Sequence, residues 1–80
     1  MEKILIKKEA LAEICRATPH ILKFPTKKMW IDYDEEADVL YVSFKRPQGA
    51  TDSEMLDNGI ILRYRDDELV GITVLEASKR

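Results

Sequence analysis

The sequence predicts an α+β fold, a small antiparallel meander sheet of four or five strands with one N-terminal helix packed on a face. Runs of β-branched and aromatic residues recur through residues 29–80, and acidic or Asn-Gly turns separate them, which is typical of paired strands. Residues 7–17 instead place apolar side chains at helical spacing. Because the connections are short, we expect neighbours in sequence to be neighbours in the sheet.

The chain is predicted to be a single domain over residues 1–80, with a helical extension over residues 1–28 and a sheet core over residues 29–80. A chain of 80 residues buries about 60–65% of its extended surface, so burial against a partner would add stability. No apolar run approaches the roughly 20 residues of a membrane helix, and no signal-peptide pattern is present. We therefore expect no membrane association and a cytoplasmic location.

The helix carries an apolar stripe at i, i+3, i+4 and i+7 spacing, formed by Leu11, Ile14, Cys15 and Thr18. Pro19 lacks an amide proton and restricts the residue before it, so we expect the helix to end near Ala17. Cys15 lies on the apolar stripe and is expected to be a core residue. Residues 1–6 fit either a strand or the first turns of a helix.

The predicted strands cover Met29–Tyr33, Val39–Phe44 or Lys45, Ala50–Met55, Ile60–Arg65 and Leu69–Leu75. Between the third and fourth strands, Asn58-Gly59 tolerates the positive φ of a tight hairpin turn. Gly71 interrupts the last strand and indicates a bulge or a close backbone approach. Residues 77–80 are expected to form a helical turn or a frayed tail.

The net charge of −2 hides two segments of opposite charge. Residues 1–30 contain seven Lys or Arg and three Glu, a balance of +4, whereas residues 31–80 contain six Lys or Arg and twelve Asp or Glu, a balance of −6. The segments are expected either to attract each other within the fold or to offer a surface to a charged partner.

The apolar side chains outnumber what one helix can cover. We expect the sheet face opposite the helix to carry a second apolar set: Trp30, Val39, Tyr41, Leu69 and Leu75. An exposed apolar face in a small domain indicates an interaction site. Most oligomers are symmetric, so this set predicts a homodimer or, failing that, another protein partner.

The carboxylates of the first hairpin do not fit a metal site. They occupy alternate positions: Asp32, Asp34, Glu36 and Asp38. A calcium loop of the EF-hand type needs Gly at its sixth position and Glu at its twelfth, but Ala37 and Ser43 stand there. We interpret the cluster as a solvated acidic turn, and we expect no metal, no cofactor and no catalytic residues, that is, no enzyme.

Nucleic-acid binding is the alternative function. Arg63 and Arg65 share one face of the sheet, and aromatic side chains and the N-terminal lysines could assist them. The acidic balance of residues 31–80 opposes this interpretation, because contact with phosphate is largely electrostatic.

Several short stretches resemble a known family. They are Tyr33–Val42, Gly59–Leu62, Leu69–Ile72 and Leu75–Arg80. In this order they resemble the domain of unknown function 2283, found in small bacterial and archaeal proteins. The resemblance implies a small antiparallel sheet with little helix and no established activity, cofactor or catalytic residue. The genes of some members lie beside the gene of a small ribonuclease-type toxin, so the resemblance also suggests an antitoxin-like partner role.

Overall fold

The structure, a computed structural model, describes residues 7–80, so the expectation for residues 1–6 lies outside the described residues. Within the described part, the elements in chain order are α1 (Lys8–Ile21), β1 (Trp30–Asp34), β2 (Val39–Ser43), β3 (Asp52–Met55), β4 (Ile60–Arg65), β5 (Glu68–Leu75) and a 3-10 helix (Ala77–Lys79). All strand pairs are antiparallel. The predicted α+β class is therefore confirmed, and the predicted strands are found to within one or two residues.

The five strands formed by the described residues lie in the order β1-β2-β5-β4-β3, which differs from the sequential order of a meander. β5 is inserted beside β2, and β3 lies at the far edge. The reason is composition, since β5 is the longest and most apolar strand and is best shielded at the centre. β3 reads Asp-Ser-Glu-Met and is exposed throughout, which suits an edge that must resist further pairing.

The helix continues beyond its expected end near Ala17 and includes Pro19. Pro19 removes the N–H that would bond to the carbonyl of Cys15, but this part of the helix is exposed and water can replace the lost donor. One residue earlier, the hydroxyl of Thr18 donates a hydrogen bond of 2.8 Å to the carbonyl of Ile14. The helix therefore ends at Ile21, beyond the proline and about one turn later than we expected.

The apolar stripe of α1 does not pack on the sheet, which corrects the expected placement. None of the helix residues, all of which the structure describes, is buried. Leu11 is 47% exposed and Ile14 is 53% exposed. Cys15 is also exposed, so our expectation that it is a core residue is wrong. The helix extends away from the sheet, with none of its side chains buried against it.

The connection after the helix accounts for this position. The ring of Phe24 meets the ring of Phe44 edge-on at a centroid distance of 6.5 Å, which ties the connection to one end of the sheet. The N–H of Phe24 donates to the carbonyl of Ile21, and Lys27 Nζ donates to the carbonyl of Phe24. The result is an elongated shape of 40 × 27 × 25 Å with a radius of gyration of 14.4 Å, against roughly 12 Å for a compact chain of this length.

The core is a thin band along the two central strands. Among residues 7–80, the buried hydrophobic side chains are Val39, Val42, Phe44 and Val70. Val70 has 0% exposure, and Thr73 is buried beside this group. These two residues lie on β5, and the other three lie on β2 or directly after it, so the burial is concentrated where β2 and β5 are paired.

Two glycines behave as the sequence indicates. Gly59 has φ of 81°, which the tight turn between β3 and β4 requires. At Gly71 a Cβ atom would overlap the side chain of Gln48, which donates a hydrogen bond of 3.0 Å to the hydroxyl of Ser43. The pairing of β4 with β5 also shifts register opposite this glycine. The close approach and the bulge predicted at Gly71 are both found.

Candidate interaction surface

One face of the sheet is apolar across four strands. Side chains that are paired across antiparallel strands lie on the same side of a sheet. The register places two apolar rows side by side, and together we call them the apolar face: Ile31, Val42, Ile72 and Leu62 in one row, and Tyr33, Leu40, Val74 and Ile60 in the other. At the β3 edge the first row ends in Glu54. No charged side chain interrupts the two rows between β1 and β4, all of which the structure describes.

Much of the apolar face is open to solvent. On the edge strand β1, Ile31 is 60% exposed and Tyr33 is 47% exposed. Val42 is buried at the centre, and the other members are half-buried. Small domains reach stability by packing two layers around one core, but α1 does not supply the second layer here. Sequence reasoning missed this surface because it assigned the helix to cover it.

The opposite face, which we call the mixed face, carries the residues that the sequence selected for interaction. Trp30, Tyr41 and the pair Val39–Leu75 lie in three successive rows. Polar residues interleave with them, since Tyr41 is paired with Asp32 on one side and with Thr73 on the other. The face is therefore less continuous than the apolar face.

The five selected residues differ in how accessible they are. Tyr41 is 42% exposed, whereas Val39 is 8% exposed and so is buried within its own chain. Trp30, Leu69 and Leu75 are half-buried. Leu69 lies beyond the register shift and lines a cavity of about 270 Å³ together with residues that include Phe44. The structure thus brings four of the five residues to one face, with Tyr41 as the most accessible of them.

The arginines of the alternative function lie in an acidic environment. Arg63 is half-buried, and its Nε atom is enclosed without a hydrogen-bond partner among residues 7–80. Arg65 lines a surface depression with Lys45 and three acidic residues in succession, Asp66-Asp67-Glu68. The carboxylates outnumber the cations there, so this arrangement does not form a basic patch.

Asp38 has a structural role that sequence reasoning missed. Its Oδ1 atom accepts hydrogen bonds from the hydroxyl of Tyr33 at 2.6 Å and from the N–H of Ser78 at 3.0 Å. Its Oδ2 atom accepts a bond of 2.8 Å from the hydroxyl of Ser78. The carbonyl of Asp38 accepts a bond of 2.9 Å from Ala77. This carboxylate therefore fastens the C-terminal 3-10 helix to the turn between β1 and β2.

The same contacts shift two ionisation equilibria. The hydrogen bond from Tyr33, and then those from Ser78, lower the pKa of Asp38 below its ordinary value, because they favour the charged carboxylate. The hydrogen bond to Asp38 raises the pKa of Tyr33 in turn. A carboxylate held ionised by three donors is suited to fixing a turn and poorly suited to exchanging protons near neutral pH.

Two further observations concern the whole described part. Between residues 7 and 80, no group of three or more His, Cys, Asp or Glu is arranged to hold a metal ion. No helix of that part is long and apolar enough to span a membrane.

Comparison with known proteins shows that the part of the chain that forms the sheet matches one family. The sequence model of the family described as "Protein of unknown function (DUF2283)" matches residues 30–78. This range begins at β1 and ends within the 3-10 helix, so it contains the residues that bind Asp38 and excludes α1. No curated protein and no solved structure matches the chain. The resemblance found in the sequence is confirmed.

Proposed function

The chain belongs to the DUF2283 family of proteins of unknown function, and we propose that it is a protein-interaction module that forms a homodimer through the apolar face. The observation that carries the proposal is the open, uninterrupted apolar surface that Ile31 and Tyr33 extend to the β1 edge. No helix within residues 7–80 covers this surface, and covering it would remove apolar area from water, which is favourable. A binding role needs no polar pocket and no catalytic group.

A second copy of the chain suits this face better than an arbitrary partner. A two-fold interface uses the same surfaces of both subunits, so every apolar element of this chain that could cover the face is present again in a second copy. Two sheet segments of charge −6 would repel each other, but each copy also brings residues 1–30 with a charge of +4. The opposite charges that one chain carries can thus be matched by a second chain.

The decisive measurement is the mass in solution over a range of concentrations. We expect sedimentation equilibrium of the full chain to show twice the 9.3 kDa of the protomer at micromolar concentration. A matched pair of variants then identifies the face. Ile31 and Met55 are exposed to 60% and 63% on the two edge strands. Ile31 lies on the apolar face, and Met55 lies in the row of the mixed face that contains Tyr41.

Ile31→Gln is expected to weaken the dimer roughly ten- to a hundredfold, because it removes apolar area twice in a two-fold interface. Met55→Gln should leave the dimer intact. The reverse result would assign dimerisation to the mixed face, where the sequence placed it. A monomer at all concentrations would contradict self-association and direct the search to another protein, such as a ribonuclease-type toxin. An electrophoretic shift with single-stranded RNA that high salt abolishes would support the nucleic-acid alternative instead.

A further inference from the structure

We infer that helix α1 of each protomer packs its apolar stripe on the apolar face of the other protomer, so that two copies exchange helices. The inference rests on the proposed homodimer and names the part of the second copy that covers the sheet. It joins two surfaces that are left uncovered within residues 7–80, an apolar sheet face without a second layer and an amphipathic helix none of whose residues is buried.

The helix has the form of an element that packs on a sheet. Leu11, Ile14 and Ile21 project on one side with exposures of 47%, 53% and 37%. The opposite side is polar, and there Glu13 forms an ion pair with Arg16. A helix of this length gains little stability alone in water, and burial of its apolar stripe normally supplies the rest.

The dimensions of the two surfaces agree. The 14 residues of α1 give a helix about 21 Å long, at 1.5 Å per residue. The five strands place the outer strands about 19 Å apart, at 4.8 Å per step. One helix laid across the strands can therefore reach from β1 to β3. Its stripe would then cover the two apolar rows.

The helix is held away from its own sheet. Phe24 is fixed against Phe44 at one end of the sheet, and Phe24 is hydrogen-bonded back to Ile21 at the end of the helix. With these contacts in place, no residue of α1 is buried. Packing on a second copy leaves these contacts intact, as in an exchange of identical elements between protomers.

The distribution of charge also favours packing of the helix on a second copy. Residues 7–30 carry six Lys or Arg and two Glu, a balance of +4, opposite the −6 of residues 31–80. The ion pairs found within residues 7–80 are Glu13–Arg16 inside the helix and Lys45–Glu68 inside the sheet. Neither pair joins the two segments. The attraction expected between them is therefore available to a second chain, and a reciprocal exchange satisfies it twice.

The test compares the two sides of the helix in the full chain. Leu11→Gln with Ile14→Gln removes the apolar stripe and keeps good helix formers. Ala12→Gln with Arg16→Lys makes the same number of changes on the polar side and leaves the charge of the helix unchanged. We expect the first pair to weaken the dimer at least about a hundredfold, because four aliphatic side chains leave the interface. The second pair should change the dissociation constant less than about threefold, and circular dichroism checks that both proteins fold.

A second measurement does not depend on variants. In a sample mixed from isotope-labelled and unlabelled chains, nuclear Overhauser contacts between chains should connect methyl groups of Leu11 and Ile14 with those of Leu62 and Ile72. Such contacts within one chain alone would overturn the inference, because the helix would then cover its own sheet. A dimer that survives Leu11→Gln with Ile14→Gln and shows sheet-to-sheet contacts would overturn it too, but would leave the proposed homodimer standing. A wild-type monomer would remove both.

Discussion

The helix and the sheet of this chain have the same kind of amphipathic sequence but a different outcome. β5 buries Val70 completely at the centre of the sheet, whereas α1, described over its whole length, buries none of its side chains. The sheet obtains its burial from neighbouring strands of the same chain. The helix can obtain it from contacts outside its own protomer, and its stability should therefore depend on protein concentration.

A periodic pattern therefore identifies the apolar face of an element, but it does not identify what packs on that face. Leu11 and Ile14 recur at helical spacing in α1, and Ile72 and Val74 recur at strand spacing in β5. What decides their burial is the connection that leads to each element. β5 follows a tight turn that returns it to the sheet, but α1 is joined through Phe24 at one end of the sheet.

We expect the largest effect on stability from a substitution in the core of the sheet, and a substitution on the helix serves as the comparison. Val70→Ala should lower the free energy of unfolding by about 2 kcal/mol, since it creates a cavity at a fully buried site. Leu11→Ala, at a half-exposed position, should have no such effect in dilute protein, because alanine favours the helix. Urea unfolding followed by circular dichroism measures both.

The same two variants should also differ in how their destabilisation depends on protein concentration. The cost of Val70→Ala should be the same in dilute and in concentrated protein, whereas Leu11→Ala should become destabilising where the wild type is a dimer. If Leu11→Ala were equally costly at every concentration, the helix would be packed within its own protomer. That result would remove the contrast between the two elements.

A smaller effect on stability is expected at acid pH, and it tests the contacts of Asp38 with Tyr33 and Ser78. The folded pKa of Asp38 lies below the unfolded value of about 3.9, so its stabilisation is complete above that pH and is lost as the pH falls through the folded pKa. For Tyr33 the pKa is raised, so its contribution is lost as the pH rises above about 10. Asp38→Asn should flatten the acid side of the stability profile.

The probe for this prediction is the fluorescence of Trp30 on β1, followed during urea unfolding at a series of pH values. Asp34→Asn is the matched control, since Asp34 is in the same turn and bonds to the amide of Ala37 alone among the described residues. It should leave most of the acid dependence in place. An unchanged acid profile in Asp38→Asn would mean that the contacts with Ser78 and Tyr33 do not contribute to folding.

The sequence was sufficient for the sheet because its signals are local. The strand Ile60–Arg65 is found as predicted, and the turn at Gly59 has the positive φ that Asn-Gly allows. The position of β5 was not predictable in this way, since it depends on which strands share the centre of the sheet. The order of the strands therefore follows from the total burial of the sheet, which no single stretch encodes.

The candidate site was harder to predict for a related reason. Tyr33 and Asp38 are five positions apart, but Ser78 reaches Asp38 from the other end of the chain, so the acidic turn alone did not reveal this contact. The selected face was also a consequence of one assumption, that the helix covers the other face. The bond from Ser78 and the position of the helix both depend on contacts over long sequence distances, and local patterns do not determine such contacts.

We expect the smallest effect from salt, which tests the opposite charges of the helix segment and the sheet segment. Raising the salt from 0.05 to 0.5 M, roughly a threefold fall in the Debye length, should weaken the dimer by about three- to tenfold, because it screens the attraction between residues 7–30 and residues 31–80. The urea midpoint of dilute protein should change little, since the ion pair Lys45–Glu68 is exposed and contributes little. Sedimentation at both salt concentrations measures the first effect. A dimer that tightens with salt would show that apolar contact alone joins the copies, and the basic helix segment would then have no electrostatic part in it.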